Sequence, residues 1–219
     1  MFNFINNAFS KFIASTTKAV GKIKQFGSNV GKHVINASKF LTPQAESNAN
    51  LSGLSATLAK ISNSAYQSNR PTTIDNYNLD KELSDPETAI YYNQSNVIIG
   101  FRGTANVKDL ITDIDIVKGT TNDPRYREAV DIYNKVKSKY PNLNIIATGH
   151  SLGGNLALYL NSLYGIQSES FNAGLGLGFI KSNPNRDKAI LHIIKGDPIS
   201  SLGALSNLGR SRVYNAITE

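Results

Sequence analysis

The stretch Ile145-Ile146-Ala147-Thr148-Gly149-His150-Ser151-Leu152-Gly153-Gly154 decides how the chain is read. Asn144 to Thr148 has the apolar, β-branched character of a short buried strand, and residues 153–164 have the pattern of a helix. The string Gly-x-Ser-x-Gly therefore lies directly between a strand and a helix, and a serine there must occupy a strained turn. Gly149 and Gly153, two before and two after it, leave room for the strand and helix to approach each other. The helix also directs its N-terminus toward any negative charge that develops beside the serine. Glycines and serines crowd ordinary loops, so the string alone says little. Its strand and helix flanks make Ser151 a candidate nucleophile.

Working outward, the same alternation continues. Residues 51–67 read as a helix with Leu51, Leu54, Leu58, Ile61 and Ala65 on one face. Thr88 to Tyr92 and Asn96 to Phe101 read as two strands about a short polar turn, the second apolar enough to be interior. Residues 125–140 form an amphipathic helix through Ala129, Ile132, Tyr133, Val136 and Tyr140, ended by Pro141. Glu169 to Ala173 and Ala189 to Lys195 follow as strands. Strands alternating with helices predict an α/β fold whose mainly parallel central sheet is covered by helices on both faces. There are no internal repeats.

The 219 residues, 40% of them hydrophobic, suffice for one sizeable core with an appendage. Polar residues recur too often for a membrane-spanning helix, so no span is expected. There are no cysteines, which excludes disulfides, thiolate catalysis and cysteine-bound zinc. The net charge of +7 is concentrated at one end: residues 1–41 carry six lysines and no acid, leaving 17 basic against 16 acidic residues elsewhere. On a helical projection Phe2, Ile5, Phe9, Phe12, Ile13, Val20, Ile23, Val30, Val34 and Leu41 gather on one side, with Lys11, Lys18, Lys22, Lys32 and Lys39 opposite. Such a cationic amphipathic arm suits an anionic membrane interface, and it equally suits docking on the body of the protein. Gly21, Gly27 and Gly31 weaken or bend it. The body shows no nucleic-acid-binding module, so a nucleic-acid partner is not expected. The expected organisation is an arm over 1–41, a polar linker over 42–50 and a folded domain over 51–219.

The elbow segment, preceded some fifty residues earlier by Ile99-Gly100-Phe101-Arg102-Gly103-Thr104 and then by Asp109-Leu110-Ile111-Thr112-Asp113, resembles the paired signature of class 3 lipases over roughly residues 51–205. The resemblance implies an α/β-hydrolase with a lipid or ester substrate and no metal or cofactor. It implies that the backbone N–H groups of Thr104 and Leu152 form the oxyanion hole, and that residues 105–113 lie where the family has its lid or the helix behind it. Asp197, in Lys195-Gly196-Asp197-Pro198-Ile199, resembles the family's Asp-Pro element and is implied as the triad acid; taken alone it reads as a turn residue.

The order serine, acid, histidine is where this sequence departs from the family, because no histidine follows Asp197 in the chain. The three histidines are His33 in the arm, His150 beside the nucleophile with its side chain expected to turn away, and His192. The last is expected to point into the sheet packing, too far along its strand to meet Ser151. Two expectations follow: a serine esterase acting on lipids with peripheral membrane association through the arm, or a membrane-binding protein that keeps a lipase fold without its turnover.

Overall fold

A computed structural model of the chain describes residues 53–103, 124–173, 183–194 and 209–214. The arm over 1–41, the linker over 42–50, Thr104, residues 105–113, Asp197 and His33 lie outside the described residues.

Within them, eight strands form one sheet whose spatial order is also chain order. The strands are β1 (Thr73–Ile74), β2 (Tyr77–Leu79), β3 (Thr88–Tyr92), β4 (Asn96–Phe101), β5 (Asn144–His150), β6 (Gln167–Phe171), β7 (Ala189–Ile194) and β8 (Arg210–Tyr214). The first three pairings are antiparallel, and the four from β4 to β8 are parallel. The α-helices are α1 (Leu54–Ser64), α2 (Pro124–Lys139) and α3 (Leu152–Tyr164).

Successive right-handed crossovers in one direction place their helices on the same face of a sheet. Accordingly α2 and α3 lie side by side, with Tyr126 edge-on to Tyr159 and Tyr133 stacked on Tyr164 at 4.0 Å. Beneath them Val97, Ile99, Phe101, Ile145 and Ala147 pack against Ile132, Val136, Leu156 and Leu160. The alternate residues of the same strands, Ile98 and Ile146, face the other way and are covered by Leu58 and Ile61 of α1. Because both faces are covered, β4 reads as an unbroken apolar run; complete burial of Ile98 and Ile99 contributes roughly 1.5–3 kcal/mol for each side chain. The α/β-hydrolase layering expected from the sequence is therefore what the chain forms.

Gly100 sets how closely α1 approaches the sheet. A Cβ there would stand 2.9 Å from Ile61 Cγ2 and 3.2 Å from Ile61 O. The contact brings the residues that follow α1, Tyr66 among them, over the carboxyl end of β4.

Three strands had no counterpart in the sequence reading: β1 and β2, of two and three residues, and β8. The strand expected over Glu169 to Ala173 runs instead from Gln167 to Phe171. It stops there because Asn172 takes a left-handed φ of 44° and turns the chain, its N–H bonding to His192 O at 2.8 Å.

Candidate active site

Ser151 lies between the last residue of β5 and the first of α3, with φ 55° and ψ −123°. That conformation is unfavourable for a residue with a Cβ, and it persists because the surroundings determine it on every side. The Ser151 N–H bonds to Phe171 O on β6 at 3.1 Å, and its carbonyl accepts the N–H of Asn155 at 3.2 Å. The two glycines leave the room predicted for them. A Cβ on Gly149 would overlap the Gly153 backbone, and a Cβ on Gly153 would overlap the carbonyl of Phe101. β5 is thus in backbone contact with α3, and α3 with the end of β4, which requires glycine at both positions, 149 and 153, that flank Ser151.

Leu152 opens α3, so its N–H is one of the four in the first turn without an intrahelical partner. Its side chain is buried while this N–H stands one residue from Ser151. On the other side of the elbow, Gly103 sits so close that a Cβ on it would lie 3.2 Å from Ser151 Cβ and 2.5 Å from His150 O. Ser151, Leu152 and Gly103 therefore converge at the carboxyl ends of β4 and β5. Thr104 itself and Asp197 lie outside the described residues, so the sites expected for them stay expectations.

The two described histidines are both engaged. His150 Nδ1 lies 3.1 Å from Tyr66 Oη. The Tyr66 hydroxyl oxygen also accepts the N–H of Gly103 at 2.9 Å. A peptide N–H can only donate, so Tyr66 Oη is the acceptor from Gly103, and the same hydroxyl reaches the His150 ring and, at 3.5 Å, the His150 carbonyl. His150 is half-buried by exposed area yet ringed by protein, and burial brings its pKa down to about 4, which keeps it neutral. Burial pushes the Tyr66 hydroxyl up to about 12, so it keeps its hydrogen.

His192 corrects one expectation. It does point into the packing, 1% exposed, with its ring stacked 4.6 Å from that of Phe171. Its separation from Ser151 is not along the strand: the register runs His150, Phe171, His192, so it is level with the elbow and two strands across. Its Nε2 lies 2.8 Å from Glu169 Oε2, both side chains being buried. Sequence reasoning missed Glu169 as a partner because the two residues are 23 apart and meet only through the β6–β7 register. Asn155, one turn along α3, is fully buried, and neither atom of its amide has a partner among the described residues. Nor do the described residues include a cluster of three or more His, Cys, Asp or Glu placed to hold a metal ion.

Residues 47–195 match the family model of the Tle-like phospholipase domain, well over half of the chain. The chain belongs to the Tle-like phospholipase domain family. The kinship with lipases expected from the paired motifs is borne out by the named relatives. Over 86 residues this phospholipase-like domain is 37% identical to the protein named "Putative lipase ATG15" of Vanderwaltozyma polyspora, a match covering 35% of this chain and 15% of that protein. It is 37% identical over 70 residues to the protein of the same name from Penicillium rubens, covering 32% of this chain and 10% of the relative. The domain thus spans about 15% or less of the length of these curated relatives. Among solved structures, Lip2 lipase from Yarrowia lipolytica is similar with a TM-score of 0.48 and 16% identity, over 81% of this chain and 80% of that one. The N225Q mutant form of MDLA from Penicillium cyclopium has a TM-score of 0.37 and 17% identity, over 65% and 63%.

Proposed function

We propose that the domain is a serine carboxylic-ester hydrolase acting on lipids, glycerides or phospholipids, with Ser151 as nucleophile. The observation that carries this reading is the backbone of Ser151, held at φ 55° between a parallel strand and a helix N-terminus. Serine Oγ attacks the ester carbonyl carbon and its proton passes to a base. The backbone N–H groups of Leu152 and Thr104 hold the oxyanion, and collapse of the intermediate expels the alcohol, which takes that proton. Water then releases the acid from the acyl-enzyme by the same steps. Asp197 orients the base. Since His150 is bound to Tyr66 and His192 to Glu169, both described histidines are engaged elsewhere; His33 is the remaining histidine of the chain. The cationic face of residues 1–41 brings the domain to anionic membrane, where its substrates lie.

The test compares the wild type with Ser151→Ala on a soluble chromogenic ester and on phospholipid vesicles. Activity that disappears with Ser151 supports the reading; turnover that survives the substitution overturns it. Deleting residues 1–41 is expected to weaken vesicle binding while sparing the soluble ester, and equal loss of both would count against a separate membrane role. The engagement of both described histidines also favours a second reading, in which the domain is a membrane-binding or membrane-disrupting protein without turnover. Inactivity of both proteins, with equal leakage of anionic vesicles, is the result that reading expects.

A further inference from the structure

Between β4 and the elbow lies one peptide unit gripped at both ends. The carbonyl of Arg102 accepts a hydrogen bond from Arg125 Nη2 at 2.6 Å, and the N–H of Gly103, the other end of the same peptide, donates to Tyr66 Oη at 2.9 Å. Just before it, Arg102 N–H bonds to Glu87 O at 2.9 Å, continuing the edge of the β3–β4 pairing. The two gripping side chains come from opposite faces of the sheet: Tyr66 follows α1, and Arg125 opens α2.

Each grip is itself held. Arg125 Nη2 stands 3.2 Å from Glu87 Oε2, so its guanidinium is braced by a carboxylate as it reaches the carbonyl. Tyr66 is fixed through its own N–H, which bonds to Asn63 O at 3.1 Å, and through the hydrogen bond of its hydroxyl with His150 Nδ1, also at 3.1 Å. The Arg102 guanidinium carbon lies over the Tyr66 ring at 5.9 Å from its centroid. The absence of a side chain at Gly103 is part of the arrangement, since a Cβ there would fall 2.5 Å from Tyr66 Oη.

We propose that Tyr66 and Arg125 are positioning residues for ester hydrolysis: by clamping the Arg102–Gly103 peptide from both sides, they hold Gly103 in place against the Ser151 elbow. The inference rests on the serine-hydrolase reading. A peptide plane held at its oxygen and its nitrogen resists rotation, and Gly103 packs so closely on the elbow that a Cβ on it would lie 3.2 Å from Ser151 Cβ. The same Tyr66 hydroxyl meets the ring of His150, the residue before Ser151, and so ties Gly103 to the elbow. Backbone held in place around the nucleophile before substrate arrives acts on kcat more than on KM.

The experiment uses the full chain, Tyr66→Phe and Arg125→Gln, with Tyr140→Phe as a control that removes a hydroxyl bonded to Asp80. Three readouts are taken from each: the labelling rate of Ser151 by a fluorophosphonate, kcat and KM on a soluble ester, and the melting temperature. The expected result is a wild type that labels, with Tyr66→Phe and Arg125→Gln each lowered roughly ten- to hundred-fold in kcat at nearly unchanged KM, and the control unaffected. The phenylalanine keeps the ring and loses only the hydroxyl; should it fail to fold, the half-buried Arg125 still decides the matter. Labelling and kcat at wild-type levels in both variants would overturn the clamp while leaving the hydrolase reading intact, as would losses that follow the melting temperature alone. Failure of the wild type to label would overturn the hydrolase reading, and the clamp with it.

Discussion

Replacing Gly153 by alanine tests the geometry of the elbow directly. Gly153 is in the first turn of α3, where alanine in place of glycine favours the helix by at most about 1 kcal/mol. Against that, the new Cβ would overlap the carbonyl of Phe101 and lie 3.0 Å from the carbonyl carbon of Arg102. These are backbone atoms at the end of β4, hydrogen-bonded on both sides, so no side chain can rotate away. Overpacking against a fixed wall costs about 1–3 kcal/mol, and the upper end applies here. The net loss is about 2 kcal/mol, which lowers the melting temperature of a chain of this length by roughly 4–8 °C. The accompanying shift of α3 moves Leu152 N–H relative to Ser151, so fluorophosphonate labelling should slow as well. Gly154→Ala is the internal comparison: its Cβ would meet Gly149 O and Ser170 Cβ at 3.1 Å and Ala173 Cβ at 3.2 Å, tight contacts without overlap. There the helix gain and the crowding nearly cancel, and stability should stay within about 1 kcal/mol of wild type. A Gly153→Ala protein that melts at or above the wild type and labels at the same rate would refute the packing argument.

Ser151→Gly should abolish labelling yet raise stability by about 1 kcal/mol, because glycine adopts φ 55° without the Cβ penalty; a melting temperature below wild type would show that the elbow stores no such strain. His150 sets an acid limit. Its folded pKa of about 4 lies below the unfolded value near 6.5, so the unfolded chain takes up a proton that the fold refuses, and stability falls from pH 6.5 down to pH 4. The upper bound is about 3 kcal/mol, reduced by whatever water reaches the half-buried ring; urea unfolding at pH 7 and pH 4 should show wild type losing more than His150→Asn, and equal losses would contradict it. Asn161→Leu should destabilise by about 2–4 kcal/mol, since the buried amide donates to Ile166 O at 2.6 Å and accepts from Asn183 Nδ2 at 2.6 Å; a melting shift under about 3 °C would show that neither bond matters.

The elements that determine the fold were legible because their burial is simple. β4 and β5 are covered on both faces and so carry apolar runs, Val97 to Phe101 and Ile145 to Ala147, and α2 shows its stripe because one side meets the sheet and the other meets water. The elbow was legible because its requirement for glycine is absolute. β1 and β2 were not, being too short to show a period, and β8 was hidden by Arg210, Ser211 and Arg212, all exposed, which give it no apolar signature. At the site, Ser151 follows from the string together with its strand and helix flanks, and Leu152 from the resemblance to class 3 lipases. Tyr66, Arg125 and Glu169 act through residues 37, 23 and 23 positions away, so their roles exist only once the sheet has assembled. No property of Tyr66 as a residue marks it; what could have drawn attention is the need of Gly103 for a partner at the end of an interior strand.

The sheet's order has a consequence for how the chain is made. Because each described strand pairs with the one before it, the sheet can grow in the direction of synthesis, and no later strand has to be inserted between two that have already joined. Until β8 arrives, the open margin of the described sheet is the run Ala189-Ile190-Leu191-His192-Ile193-Ile194, rich in β-branched residues and without Asp, Glu, Lys or Arg. β8 closes that margin and puts arginines at the rim, which strangers pair with poorly. A nascent chain halted between residues 194 and 210 would therefore present that margin to its neighbours.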